Sequence, residues 1–191
     1  NEYSYTCLIS AMARNGKMEE ANALLSAMES ANVRPTTITY NAFIAAALAD
    51  APPRISSTSD VGPDSSYLDE EHRQYNNRIV DSLKLLGRMV KSKVRPNEIT
   101  ISTIVAGMGK CYPPRIEEAK SIVAKLNADG TISRGDERIG TALIHTCGDN
   151  GDFEGSLEAY NAIVEPDIIA LNAFLDACCK CGKVKIALET F

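Results

Sequence analysis

The side chains best suited to metal binding or nucleophilic chemistry are six cysteines and two histidines. Structural zinc sites gather four ligands, and paired cysteines normally enter them across a spacer of two or more residues. Cys179-Lys-Cys181 is tighter than that, and His72 and His145 lie far from it along the chain. Cys7, Cys111, Cys147 and Cys178 lack the even spacing of a secreted disulfide framework. The thiols are therefore expected as small, buried helix residues. No Ser/His/Asp or Cys/His set and no phosphate-cradling glycine loop stands out. The sequence thus predicts no enzyme, no metal and no cofactor.

Composition narrows the remaining classes. The 191 residues are 45% hydrophobic, only 6% aromatic, and contain no Trp. Ample apolar content and a low charge per residue exclude disorder as the dominant state. No run of about 18 apolar residues is present, so no membrane-spanning helix is expected. Few large anchors favour many small Ala-Leu-Ile helices over one compact core. With 20 basic and 25 acidic residues the net charge is −5, unlike a general nucleic-acid glue. The chain begins at Asn1 and stops at Phe191 inside an apolar-periodic stretch, so it is expected to be a segment of a longer protein, with any targeting sequence lying outside it.

Internal repetition supplies the elements. Five adjacent apolar pairs recur: Leu8-Ile9, Phe43-Ile44, Ile104-Val105, Leu143-Ile144 and Phe174-Leu175, at intervals of 35, 61, 39 and 31 residues. Each is followed three residues later by Met12, Ala47, Met108, Cys147 or Cys178, which completes one buried helical stripe. A second stripe with i, i+3, i+4, i+7 spacing follows: Ala21-Leu24-Leu25-Met28, Ser82-Leu85-Leu86-Met89, Ala119-Ile122-Val123-Leu126 and Ser156-Ala159-Tyr160-Ile163. Gly16, Gly151 and Gly182 fall between the two helices, and Pro35, Pro96 and Pro166 close three units. A plain helical bundle would not keep these offsets in phase.

The expected fold is all-α, an α-solenoid of helix–turn–helix repeats, because single hairpins cannot bury both faces alone. The repeats are placed at 2–36, 37–97, 98–136, a short 137–167 and a truncated 168–191. The long second repeat carries Pro, Ser, Asp and Gly in high density, which predicts a mobile insert over about 50–76, with residues 70–77 able to extend the second helix backwards.

These phased units resemble the pentatricopeptide repeat family. Ile38-Thr-Tyr-Asn-Ala-Phe-Ile44 is similar to the family's opening segment, and Asn15-Gly-Lys-Met-Glu-Glu-Ala21 and Val33-Arg-Pro-Thr36 to its turn and ending. Ile169-Ala-Leu-Asn-Ala-Phe-Leu175 and Cys179-Lys-Cys-Gly-Lys-Val184 repeat the match near the C-terminus. Tetratricopeptide repeats share the hairpin and the closing proline, but their Trp and their Leu-Gly…Tyr signature are missing here.

The resemblance implies a right-handed α-solenoid that binds single-stranded RNA, one base per repeat. It implies that a polar residue of the first helix and the last residue of the repeat read each base together: Thr6 with Thr36, Asn41 with Asn97, Ser102 with Asp136, and Thr141 with Asp167, plus Asn172 in the fifth repeat. The family's pairing implies any base, a pyrimidine, G, G and a pyrimidine from 5′ to 3′. Helix capping is the alternative account of Asp136 and Asp167, since each directly precedes a helix. The resemblance places a base clamp at Tyr3, Ile38, Ile99, Arg138 and Ile169; Arg138 departs from the aliphatic pattern but can stack on a base. It places phosphate contacts at Arg14, Lys110 and Lys180, with Ala49 and Asp149 departing from the basic pattern. Three contacts imply a salt slope of about −2, at roughly 0.7 per phosphate.

Divided by repeat, the net charge is −1, +1, 0, −6 and +1. The acidic surplus is therefore local to residues 137–167, as a solvated face or as a surface for a basic protein partner. The family likeness implies an organellar protein, in chloroplast or mitochondrion. It acts either in RNA processing, stabilisation or translation, or as a scaffold within a large complex.

Overall fold

In a computed structural model of the chain, residues 1–52 and 65–190 are described, and they contain helices and no strand. The helices are α1 (Glu2–Arg14), α2 (Met18–Ser30), α3 (Thr37–Ala47), α4 (Ser65–Lys91), α5 (Glu98–Gly109), α6 (Ile116–Ala128), α7 (Glu137–Gly148), α8 (Phe153–Ala162), α9 (Ile168–Lys180) and α10 (Val184–Thr190). They divide into two compact units, one of residues 1–96 with 110–112, the other of 97–109 with the residues from 113 on.

In the first unit α1 packs against both α2 and α3, and α3 packs against α4. Ile9, Leu25, Met28, Tyr40, Phe43, Ile44, Ile79 and Met89 are fully buried, so the phased apolar pairs and second-helix stripes do face the core. Leu8 is the exception at 49% exposed, because α1 has a first-helix neighbour, α3, on one flank. Arg88 ties α4 to α2 through Glu29 at 2.6 Å and Ser26 at 3.1 Å.

The turns show why glycine recurs. At Gly16 the backbone is left-handed, φ +75°, and the Lys17 N–H closes on the Met12 carbonyl at 3.0 Å. The same helix ending follows α2 and α4 without glycine: Asn32 and Lys93 both adopt φ +57°. Lysine has no side-chain device that favours this region. Lys93→Gly should stabilise the first unit by about 0.5 kcal/mol net of glycine's extra unfolded-state freedom. Urea unfolding is the check; an unchanged or lowered midpoint would show that the turn carries no strain.

The insert differs from expectation. Residues 65–76, assigned to a mobile loop, belong to α4, which starts five residues earlier than the Glu70 extension considered from sequence. His72, Tyr75 and Ile79 are buried at i, i+3, i+7 spacing, so this stretch has a core-facing stripe of its own. His72 stands edge-on to the Tyr112 ring at 5.4 Å, and Asn76 donates to the Tyr112 carbonyl at 2.7 Å. The remaining insert positions, 53–64, lie outside the described residues.

In the second unit α5, α7 and α9 lie side by side, with α6, α8 and α10 following them in turn. Tyr160 stacks on Phe174 at 4.6 Å, and Ile144, Ala170, Ala173 and Cys178 complete the core around them. Small residues bring the first helices close. A Cβ on Gly109 would meet the Thr146 side chain at 2.7 Å, and one on Gly148 would fall on Ala177. Polar stitches fix the register: Thr146 Oγ1 donates to the Val105 carbonyl at 3.3 Å, and Asn150 Nδ2 to the Gly109 carbonyl at 3.0 Å.

Candidate nucleic-acid interface

The five odd-numbered helices share one local plan. The residue before each helix caps it, the second helical residue is exposed, and the fifth lies one turn further on the same face. Second and fifth are three apart, so their side chains are neighbours at the end where the capping side chain also sits.

The caps are explicit. Thr36 and Thr39 form a reciprocal box at the start of α3. The Thr100 N–H donates to Asn97 Oδ1 at 3.1 Å, and the Asn97 N–H returns a bond to Thr100 Oγ1 at 3.2 Å. Asp136 Oδ1 accepts from the Ile139 N–H at 3.1 Å, and Asp167 Oδ1 from the Ala170 N–H at 2.7 Å. So the last residue of each repeat is the N-cap of the next first helix, and the capping account of Asp136 and Asp167 is physically present.

At the second helical position Tyr3 is 77% exposed and Ile38 72% in the first unit. In the second unit Ile99 is 41% and Ile169 63% exposed, and Arg138 is exposed beside them in sequence register. Isoleucine repeatedly left in water at one helical position is not what core packing produces. The fifth residues Thr6, Asn41, Ser102 and Thr141 are half-buried, and Asn172 is exposed.

The structure brings Thr6 and Thr36 together through a third residue. The Thr6 and Thr39 hydroxyls are 3.0 Å apart, and the Thr36 N–H reaches Thr39 Oγ1 at 3.4 Å. Ser102 turns its hydroxyl to the Ile99 carbonyl at 3.3 Å. Asn41 and Asn97 belong to different units, each described by itself.

Two groups near these positions were not singled out from sequence. Glu2 opens α1 and its Oε1 accepts from Thr36 Oγ1 at 2.7 Å. Glu137 opens α7 and its Oε1 accepts from the Asp167 N–H at 3.0 Å. Both glutamates stand four residues before a fifth-position threonine, which is a spacing that could have flagged them.

At the thirteenth position Arg14 and Lys110 are exposed, whereas Lys180 is engaged. Its Nζ donates to Asp149 Oδ1 at 2.7 Å and also to Asp176 one turn back on α9. The hydrogen bonds to Asp149 and then Asp176 push the ammonium above the ordinary lysine range. Burial pushes the Cys147 thiol up to about 12 and raises Cys178 and Cys181 as well, whereas Cys7 and Cys179 are exposed rather than buried as expected. Among the described residues no three His, Cys, Asp or Glu side chains converge as a metal site.

Comparison with known proteins accounts for this repeating plan. The model of the PPR repeat family matches residues 1–48, and that of the PPR repeat matches residues 169–191. Residues 1–48 and 169–191 carry pentatricopeptide repeats. A pentatricopeptide repeat-containing protein of Arabidopsis thaliana is 28% identical over 110 residues, covering 58% of this chain and 23% of the relative. The crystal structure of the pentatricopeptide repeat protein PPR10 from maize superposes over 99% of the chain and 23% of its own length, at 14% identity and a TM-score of 0.65. PPR10 in complex with an 18-nucleotide psaJ RNA element matches at 20% identity and 0.62, over 98% of this chain and 24% of its own. The PPR domain of Arabidopsis thaliana protein-only RNase P 1, in complex with tRNA, matches at 18% identity and 0.57, over 98% of this chain and 87% of its own. The all-α solenoid class expected from the pentatricopeptide repeats is thereby established, and the chain spans about a quarter of the length of its curated relative and of PPR10.

Proposed function

We propose that this chain is the sequence-selective, single-stranded RNA-binding part of an organellar RNA-processing, stabilisation or translation factor, without catalysis of its own. The observation that carries the proposal is the exposed apolar or stacking residue at the second position of every first helix, beside a polar fifth residue and a polar cap. Such a row offers planar bases a surface to stack on and edges to hydrogen-bond. PPR10 bound to an RNA element and the RNase P domain bound to tRNA support the reading as family members of the same fold.

Repeats at 2–36, 37–97, 98–136, 137–167 and 168–191 would each meet one base, read as any base, pyrimidine, G, G and pyrimidine. An aspartate accepts from the donor-rich edge of guanine, while a neutral amide can also donate. Asp136→Asn keeps a capping side chain and should move the third-base preference from G towards A by about fivefold, the low end for one base contact. Fluorescence anisotropy on short RNAs differing at that base tests it. Equal, negligible binding of wild type to all sequences would reject RNA recognition by this segment.

A second reading, a protein-binding scaffold within a large organellar complex, is favoured by the engaged Lys180 and the −6 charge of residues 137–167. Co-purification of the full-length protein with a defined complex after nuclease treatment would support the scaffold; release by nuclease would count against it.

A further inference from the structure

Glu137 and Asp167 place two carboxyl groups at one base-reading position. Asp167 is tied down twice. Its Oδ1 accepts from the Ala170 N–H at 2.7 Å, and its own N–H donates to Glu137 Oε1 at 3.0 Å. A hydrogen bond to the Asp167 side chain, with burial behind it, raises Glu137 above the ordinary carboxylate range. The Ala170 amide foremost, with Glu137 adding to it, holds Asp167 below that range. The two carboxyl groups therefore meet as like charges, with Asp167 the more readily ionised of the pair. Asp136, the cap of α7, adds a like charge from the preceding residue, and the exposed Arg138 follows in sequence.

The arrangement recurs in the other unit. Glu2 opens α1 as Glu137 opens α7, and it holds Thr36, the last residue of its own repeat. In both units a helix-opening glutamate, one turn before a fifth-position threonine, grips the partner of that threonine.

We propose that Glu137 is a positioning and specificity residue of the fourth-repeat base site. It fixes Asp167 through the backbone and adds a second acceptor, so that the pair selects a nucleobase edge with two adjacent N–H donors. Guanine presents that edge as N1–H and N2–H2, whereas adenine presents one donor beside an acceptor. Two donors from the base edge relieve the like-charge contact between the carboxylates. An acceptor in that place leaves it unrelieved, which penalises the wrong base. The inference rests on the RNA-binding reading above.

The test uses the 191-residue chain and short RNAs in which the third and fourth bases are varied separately. Glu137→Ala should lower the G-over-A preference at the fourth base about fivefold and leave that at the third base unchanged. Glu137→Gln retains an acceptor for the Asp167 N–H, so it should restore affinity to within about twofold while the fourth-base preference stays reduced. Circular dichroism melts of both variants should overlay on wild type, since Glu137 is a helix-opening surface residue. An unchanged fourth-base preference in Glu137→Ala overturns the inference, and so does an equal loss at both bases, which would mark a structural role. Wild type without base preference at either position fails the RNA-binding reading itself, and the inference falls with it.

Discussion

Gly148→Leu is expected to lower the stability of the second unit by about 3 kcal/mol, the upper part of the range for overpacking a tight contact. Gly148 is the last residue of α7, where that helix lies against α9. An added Cβ would clash with the Ala177 methyl and stand 2.9 Å from the Ala177 Cα, with Ser156 Oγ at 3.4 Å. The Cα belongs to the α9 backbone, so no rotamer change clears the space and the helix itself has to move. Ser156 cannot give way freely either, because its hydroxyl donates to the Ile144 carbonyl at 3.2 Å. Urea unfolding followed by helical circular dichroism should show the midpoint falling by about 1.5 M, using a slope near 2 kcal/mol/M for a small domain. A midpoint within experimental scatter of wild type would mean that α7 and α9 can separate at little cost.

Asp149→Lys should tighten binding to single-stranded RNA by about 25-fold at 0.1 M salt and steepen its salt dependence. Asp149 occupies the thirteenth position of its repeat, where the proposed RNA binding calls for a cation, and it captures Lys180 of the following repeat at 2.7 Å. On that proposal wild type would present Arg14 and Lys110 to phosphates, with a slope of about −1.4 rather than −2, at roughly 0.7 per phosphate. The substitution adds one cation and removes a carboxylate from Lys180, bringing the slope to about −2.8 by the same arithmetic. Folding should tolerate the change. Asp149 is the C-terminal cap of α7, an end that favours positive over negative charge. Anisotropy titrations between 50 and 200 mM salt give both numbers. A slope that stays put would mean that RNA does not pass this position.

Much of this architecture was legible in sequence because its causes are local. Apolar spacing, turn glycines and closing prolines act within one hairpin, and each of the five first helices begins directly after the residue assigned as a repeat boundary or, for α1, after Asn1. Ile38, Ile99 and Ile169, the clamp positions that the family resemblance implies, recur at fixed phase and are exposed in the structure. The start of α4 was not, because Pro, Ser and Asp density dominated a stretch whose buried His72 and Tyr75 find their support only in the folded unit. Left-handed Lys93 was likewise hidden, since lysine does not advertise that conformation as glycine or asparagine does. Glu137 with Asp167 and Asp149 with Lys180 are partners 30 and 31 residues apart. Pairings of that range depend on how one hairpin stacks on the next, and no local pattern encodes them.

The coincidence of helix cap and repeat ending has a consequence for how such a chain can change over generations. A substitution at Thr36, Asn97, Asp136 or Asp167 is judged twice, once by the helix it starts and, on the RNA reading, once by the base it meets. Exchange among Asp, Asn, Ser and Thr costs the helix little, whereas Ala or Val forfeits about 1 kcal/mol of capping. Those four residue types can also discriminate donors from acceptors on a base edge. Folding thus confines mutational drift to a small vocabulary that stays meaningful to a nucleic acid, and target preference can wander from repeat to repeat while the scaffold persists.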